Sequence, residues 1–235
     1  MNLRATLGRA INGPASLLGL QVLRASPELR SLPSYHIKTV LDIGAHGGEF
    51  LRRVRPFVPK AVIHCFEPLP GPFARLQEAA ARDPRAKAWR LALGDMNGLL
   101  AMHENAFTPS SSFLPMTEKH IRAFPGTACW KPTQVSVTTL DDWASSQELE
   151  TPIFVKMDVQ GYEAHVICGG HATIGQAVLV LAEVSFVELY AGQCLFEELH
   201  DRLRGLGFRC VGMANLLCDP ISGRALQADA LFAKG

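Results

Sequence analysis

The chain has 235 residues, of which 48% are hydrophobic and 19% charged, a composition that suits one α/β domain and argues against a largely disordered protein. The 23 basic and 22 acidic residues leave a net charge of +1, so no field of one sign is present to bind nucleic acid or an anionic membrane surface. The sequence lacks a run of about 18 apolar residues, so we expect no stable membrane insertion.

The first 36 residues differ from the rest of the chain. Four arginines within residues 1–30 surround a short apolar segment that Gly13 and Pro14 interrupt. A secretory signal peptide needs an unbroken apolar stretch and a small-residue cleavage site, so this segment is not typical of one. We predict a helical extension over residues 1–36 and a single domain over residues 37–235.

Strands and helices alternate along the domain. The apolar patterns predict strands at 39–43, 61–66, 86–93, 98–103, 134–139, 153–158, 178–184, 208–213 and 228–233, and helices at 49–55, 70–82, 140–147, 163–169 and 196–206. Such alternation is typical of βαβ units and predicts a doubly wound α/β fold with a mostly parallel sheet. Ligands of such sheets bind beyond the carboxyl ends of the strands, so functional residues are expected directly after each strand.

One long segment, residues 104–132, breaks this alternation. It is rich in proline and serine, with a short helix expected near residues 117–123. Long irregular segments inside compact domains are commonly functional, so we predict a lid over a binding site.

A glycine-rich turn follows the first strand, from Asp42 through Gly44 and His46 to Gly48. Glycines let the backbone approach a ligand, and the following helix offers free N–H groups. The dinucleotide fingerprint G-x-G-x-x-G fails, because His46 and Glu49 stand where its second and third glycines belong. The carboxylate of Asp42 favours a cationic amino-acid ligand over a pyrophosphate.

The second and third strands also end in polar or turn residues. Glu67, followed by Pro68, can accept hydrogen bonds from both hydroxyls of a ribose, or can act as a helix-capping carboxylate. Ala92 and Leu93 precede Asp95, at a corner that lies beside the base of a bound nucleoside in this topology. Asp95 is equally explained as a plain turn residue.

Two carboxylates end neighbouring apolar strands, Asp158 and Glu183. Such a pair can provide a base, an orienting acid or metal ligands. Lys156 shares the strand face of Asp158 and needs a partner if it is buried, for which Asp158 and Glu183 are the candidates. Gln160 lies in the turn that follows.

The six cysteines contain no CxxC pair, so a zinc site has little support. Most of them lie in apolar stretches, which indicates reduced, buried thiols in a cytoplasmic protein. These cysteines are Cys65, Cys129, Cys168, Cys194, Cys210 and Cys218.

Taken in order, several of these segments resemble the FkbM family of methyltransferases. The matching segments are VLDIGAHGGEF (40–50), CFEP (65–68), VSVTTLDD (135–142) and VKMDVQGYE (155–163), with shorter matches at 183–185 and 229–232. The similarity extends over roughly residues 37–234.

The resemblance implies a Rossmann-like methyltransferase fold with a final antiparallel strand, S-adenosylmethionine as the methyl donor, and an acceptor hydroxyl on a sugar, glycan or secondary metabolite. Together with the strand ends, it predicts catalysis by Asp158 with Glu183 as second candidate, and leaves a divalent metal between them open. The predicted donor-binding residues are Asp42, Gly44, Ala45, His46, Gly48, Glu67, Pro68, Ala92, Leu93, Asp158 and Gln160.

Two other functions remain as alternatives. An NAD-dependent oxidoreductase shares the fold class, but the failed fingerprint argues against it. A catalytically silent methyltransferase-fold binding subunit is the other alternative, and the presence of Asp42, Gly44, Glu67 and Asp158 argues against it.

Overall fold

The computed structural model describes residues 29–219 and 222–235. The strands are β1 (Thr39–Ile43), β2 (Val62–Phe66), β3 (Ala86–Trp89), β4 (Ala92–Gly94), β5 (Gly98–Asn105), β6 (Trp130–Thr139), β7 (Ile153–Met157), β8 (Ala177–Ser185), β9 (Phe208–Cys218) and β10 (Ala225–Lys234). The helices are α1 (Glu49–Val54), α2 (Pro70–Ala80), α3 (Glu118–Ala123), α4 (Leu140–Ser145), α5 (Glu163–Gly169), α6 (His171–Gly175) and α7 (Phe196–Gly205).

The main sheet has seven strands in the order β3-β2-β1-β7-β8-β10-β9. The first five of these pair in parallel, and β10 runs antiparallel to both β8 and β9. This confirms the predicted α/β fold with a mostly parallel, doubly wound sheet. The strand order reverses between β1 and β7. The carboxyl ends of these two strands therefore lie at the crevice where such folds bind ligands.

The central strands are apolar because both of their faces are covered. All five positions of β1 are buried. Leu41 and Ile43 enter one core cluster, whereas Val40 enters the cluster on the opposite face. A strand buried on both sides reads as an unbroken apolar run, which is why its position was predictable.

The predicted strand over residues 86–93 is wrong, because the chain leaves the main sheet after Trp89. The Leu91 N–H turns back to the Trp89 carbonyl at 3.0 Å. Residues 92–94 then form β4, which joins a second, three-stranded sheet of order β4-β6-β5. The side chains alternate in the same way through both short strands, so the sequence reads as a single strand. The local pattern does not determine which strand each one pairs with.

The long segment after β5 is shorter and more ordered than predicted. The β5–β6 ladder continues to the pair formed by Asn105 and Trp130, so both strands extend into the predicted loop. The helix expected near residues 117–123 is confirmed as α3, whose N-cap residue Thr117 accepts the His120 N–H on its side-chain oxygen at 3.4 Å.

Most of the predicted N-terminal extension, residues 1–28, lies outside the described residues. In its described part, Leu29 and Leu32 are fully buried in the same core cluster as Val40. Within residues 29–219 and 222–235, no helix is both long and apolar enough to cross a membrane.

A glycine at the end of α5 sets how closely this helix approaches the second sheet. A Cβ on Gly169 would lie 1.9 Å from the Gly94 carbonyl oxygen of β4. We therefore expect Gly169→Ala to lower the free energy of unfolding by about 3 kcal/mol, because helix and strand must separate.

Gly205, the last residue of α7, is the matched control. A Cβ there would meet nothing within 4 Å, so Gly205→Ala is expected to leave stability unchanged or raise it by about 0.5 kcal/mol. Urea unfolding of both variants checks this difference. Equal stabilities would contradict the close helix–strand approach.

Candidate active site

A cavity of about 500 Å³ opens where β1, β2 and β7 end. This volume lies in the range of small-molecule sites in proteins. The lining residues come mostly from the turns that follow the strands, as the topology predicts. Among the predicted site residues, the lining includes Gly44, Ala45, His46, Glu67, Pro68, Ala92, Leu93, Asp158, Gln160 and Glu183.

The turn after β1 is locked against both neighbouring strands. The N–H groups of Gly44 and Ala45 both donate to the Phe66 carbonyl at the end of β2, at 3.1 and 2.9 Å. Gly44 has a φ of +77°, and a Cβ there would lie 1.9 Å from the Asp158 carbonyl oxygen. Glycine is therefore required at this position, both for the backbone conformation and for the close contact with the chain leaving β7.

His46 connects this turn to the segment that covers the cavity. Its ring Nε2 lies 2.8 Å from Thr108 Oγ1, and its Nδ1 lies 3.4 Å from Glu49 Oε2. The hydrogen bond with His46 is the main cause that lowers the pKa of Glu49 to about 2. We define the covering loop as residues 106–117, of which Thr108, Pro109, Ser111 and Phe113 line the cavity.

Glu67 is held rigidly at the cavity wall. Its Oε2 accepts the His46 N–H at 3.1 Å, and its Oε1 accepts the Leu69 N–H at 2.8 Å. Burial raises the pKa of Glu67, while the Leu69 N–H opposes that effect. Each carboxylate oxygen has a second lone pair, so Glu67 can still accept hydrogen bonds from a ligand.

Asp42 lies beneath the cavity and not in its lining. It is fully buried and faces Lys156 across the β1–β7 pairing, with Oδ1 and Nζ 3.2 Å apart. Lys156 also donates to the Gly44 carbonyl at 2.9 Å and lies 3.7 Å from Asp158 Oδ2. Burial opposes the charge of Lys156, but the carboxylates of Asp42 and Asp158 outweigh it and raise the lysine pKa to about 12.

Gly48 also lies outside the cavity lining. It is the N-cap of α1 with a φ of +79°, and a Cβ there would approach the side chains of Ala79 and Leu76 on α2 at 3.1 and 3.3 Å. Gly48 therefore allows α1 and α2 to pack closely. Asp95 is not part of the cavity lining either; it lies in the bend after β4, and its Oδ2 is 2.8 Å from His165 Nδ1.

Asp158 and Glu183 are brought together by one amide. Gln160 Nε2 donates to Asp158 Oδ1 at 2.9 Å and to Glu183 Oε2 at 2.8 Å. Gln227, on β10, donates to the same Glu183 oxygen at 3.0 Å. Burial, followed by the nearby charge of Asp158, raises the pKa of Glu183 well above its usual value.

Several cavity residues were not found from the sequence. Phe50 and Arg53 reach the cavity from α1, and their spacing of three places them on one helix face, which is the signal that was available. Phe113 and Tyr162 also line the cavity, and their rings pack against each other with centroids 4.8 Å apart. Nothing local in the sequence marks these two as partners. Across the described ranges, no group of three or more His, Cys, Asp or Glu side chains is arranged to hold a metal ion.

The sheet order, the antiparallel β10 and an acid-lined cavity at the carboxyl ends of β1 and β2 define a Rossmann-like methyltransferase domain. The model of the methyltransferase FkbM domain matches residues 42–210. The chain therefore belongs to the FkbM family of methyltransferases.

The chain is similar to one named relative and to two solved structures. It is 31% identical over 187 residues, 77% of each chain, to the 2-O-methyltransferase NoeI of Sinorhizobium fredii (strain NBRC 101917 / NGR234). A precorrin-6y C5,15-methyltransferase from Geobacter metallireducens has a TM-score of 0.50 at 8% identity, over 89% of this chain and 86% of that one, which shows a shared fold. The methyltransferase FkbM from Methylobacillus flagellatus gives a TM-score of 0.49 at 14% identity, and the match spans 89% of this chain and 45% of that one.

The buried ion pair makes a prediction about stability. Lys156→Met leaves the buried Asp42 carboxylate without its counter-charge, so we expect the free energy of unfolding to fall by about 3–5 kcal/mol. The double variant Asp42→Asn/Lys156→Met removes both charges and is expected to recover most of that loss. Urea unfolding at neutral pH measures both. A double variant as unstable as Lys156→Met would show that the lysine acts through something other than this pair.

Proposed function

We propose that this methyltransferase uses S-adenosylmethionine and transfers the methyl group to a hydroxyl oxygen of a sugar, a glycan or another secondary metabolite. The observation that carries the proposal is one cavity with a buried carboxylate, Glu67, after β2 and a carboxylate pair, Asp158 and Glu183, at the ends of β7 and β8. The name of the relative, a 2-O-methyltransferase, supports oxygen as the receiving atom.

The residues of the cavity fit the donor. The turn through Gly44 lines the cavity and is our candidate site for the amino-acid part, and Glu67 has lone pairs for the ribose hydroxyls. Pro68, Ala92 and Leu93 offer an apolar wall for the base. When bound, the donor supplies an electrophilic methyl group on a positively charged sulfur. Arg53, which also lines the cavity, is our candidate partner for its carboxylate.

Asp158 is the proposed base. A general base must be unprotonated to accept a proton from the acceptor hydroxyl, and the burial that disfavours the charged form of Glu183 supports Asp158 in this role. The side chain of Asp158 is 41% exposed, so an acceptor can reach it. The amide of Gln160 holds the Asp158 carboxylate in one orientation, which favours a near-attack geometry.

The covering loop is the proposed acceptor-side wall. Its residues Pro109 and Phe113 line the cavity, and Thr108 contacts His46 of the donor turn. A closed loop excludes water from the reacting atoms. We also propose a cytoplasmic location, which the absence of a cysteine pattern typical of disulfides supports. The expected burial of the cysteines is wrong for most of them, because only Cys65 is buried.

An acceptor screen tests the proposed function directly. The purified protein is incubated with methyl-labelled S-adenosylmethionine and panels of oligosaccharides, glycolipids and small hydroxylated metabolites. We expect label on an oxygen of one class of acceptor, and calorimetric binding of S-adenosylhomocysteine but not of NAD. Binding of NAD in place of S-adenosylhomocysteine would favour the oxidoreductase alternative.

Glu67 is expected to determine donor affinity. Glu67→Ala removes charge-assisted hydrogen bonds to the ribose, so binding of S-adenosylhomocysteine should weaken by about 1–3 kcal/mol in calorimetry. Glu78→Ala, at an exposed position of α2, is the control and should bind normally. Unchanged affinity in Glu67→Ala would remove the ribose assignment.

Asp158→Asn separates three roles of this residue. If Asp158 is the base, donor binding survives while turnover falls by about 10²–10⁴-fold. If it anchors a divalent metal, a chelator also abolishes wild-type activity and magnesium or manganese restores it. A structural role would lower the melting temperature and preserve turnover per folded molecule. Near-normal turnover in a stable variant would transfer the assignment to Glu183.

A further inference from the structure

Tyr190 lies behind the carboxylate pair, outside the cavity lining. It follows β8 and is fully buried. Its hydroxyl lies 2.8 Å from Gln160 Oε1 and 3.2 Å from the Ser110 carbonyl oxygen. A phenol has one proton to donate, and both neighbours are acceptors. The shorter contact is with Gln160, so the Tyr190 hydroxyl donates to the amide that holds Asp158 and Glu183.

This arrangement leaves the Gln160 amide a single favourable orientation. Its nitrogen donates to both carboxylates and its oxygen accepts from Tyr190. A flipped amide would point its oxygen at the carboxylate oxygens of Asp158 and Glu183, which is repulsive. Every polar atom of the Gln160 side chain is therefore used to align the pair.

The backbone at Gln160 is also constrained. Its φ of +55° lies in the left-handed region, which is unfavourable for a non-glycine residue, so neighbouring contacts must maintain it. Ser112 Oγ, from the covering loop, donates to the Gln160 carbonyl at 2.7 Å. Together with Ser110, this places two residues of the covering loop on the Gln160–Tyr190 pair.

Tyr190 itself is well anchored. Its N–H donates to Gln193 Oε1 at 2.5 Å. Its ring packs against His120 of α3 with centroids 4.9 Å apart, in an apolar cluster that includes Leu189 and Leu226. The hydroxyl is therefore fixed in space, as an alignment role requires.

We propose that Tyr190 is a positioning residue of the methyl-transfer site, which holds the Gln160 amide in the orientation that aligns Asp158 and Glu183 beneath the covering loop. The role in methyl transfer rests on the proposed function. The hydrogen-bonded pair itself can be tested without an acceptor, because its effect is on a side-chain amide that gives its own spectroscopic signal.

The test is side-chain amide NMR of the full chain labelled with nitrogen-15. Gln160→Met assigns the Gln160 signals by their disappearance. In the wild type we expect Gln160 amide protons that exchange slowly with solvent and whose shifts differ from those of an exposed glutamine. In Tyr190→Phe, which removes only the hydroxyl, both signals should move towards the exposed-glutamine values and exchange faster with solvent.

Tyr35→Phe, at a partly buried tyrosine of the 3₁₀ turn Leu32–Tyr35, is the matched control and should leave the Gln160 signals unchanged. Binding of S-adenosylhomocysteine, measured by calorimetry, is expected to stay within about twofold in Tyr35→Phe.

Two outcomes overturn the proposal. One is a Tyr190→Phe variant with lower melting temperature but unchanged Gln160 signals, which is what a purely structural tyrosine predicts. The other is a wild-type spectrum in which the Gln160 amide protons already show the shifts and the fast solvent exchange of an exposed glutamine, a result that does not depend on whether any variant folds. Failure of the wild type to bind S-adenosylhomocysteine contradicts the proposed function instead, and leaves the NMR readout of the pair intact.

Discussion

The ion pair between Asp42 and Lys156 is the interaction on which the site depends. The two residues face each other in the register of β1 and β7, the central strands of the sheet. The same ammonium group donates to the Gly44 carbonyl and approaches Asp158. One buried cation, the ammonium group of Lys156, therefore connects β1 to the turn at the proposed donor site and to the proposed base. A charge buried in this place is tolerated only because its partners surround it.

Backbone contact at the crevice is as important as charge. The missing side chain of Gly44 lets the turn after β1 rest on the carbonyl of Asp158, so a displacement of either strand end would move both parts of the site. Glu67, which follows β2, is connected to the same turn because its carboxylate accepts the His46 N–H. The positions of the turn, the acid and the carboxylate pair thus follow from the register of four adjacent parallel strands, β2, β1, β7 and β8.

Local sequence pattern predicted those features whose cause is local. The buried strands β1 and β7 were found because they are covered on both faces, and α5 was predicted at its observed bounds, Glu163–Gly169. The strand-end residues of the cavity were found because the topology brings such residues together. The break after Trp89 was missed, since the alternation there fits either sheet. The depth of Asp42 was missed as well, because its partner Lys156 is remote in sequence and only the pairing of β1 with β7 joins them.

The raised pKa of Glu183 gives the carboxylate pair a division of roles under the proposed function. Methyl transfer removes the positive charge of the sulfonium, so negative charge that stabilises the bound donor more than the transition state would slow the step. A full negative charge on both carboxyl groups would have this effect. Burial and the neighbouring Asp158 disfavour the charged form of Glu183, and Gln160 and Gln227 both donate to its Oε2. The more exposed member of the pair, Asp158, is then the carboxylate that an acceptor hydroxyl can reach, while Glu183 holds the amide of Gln160 in place.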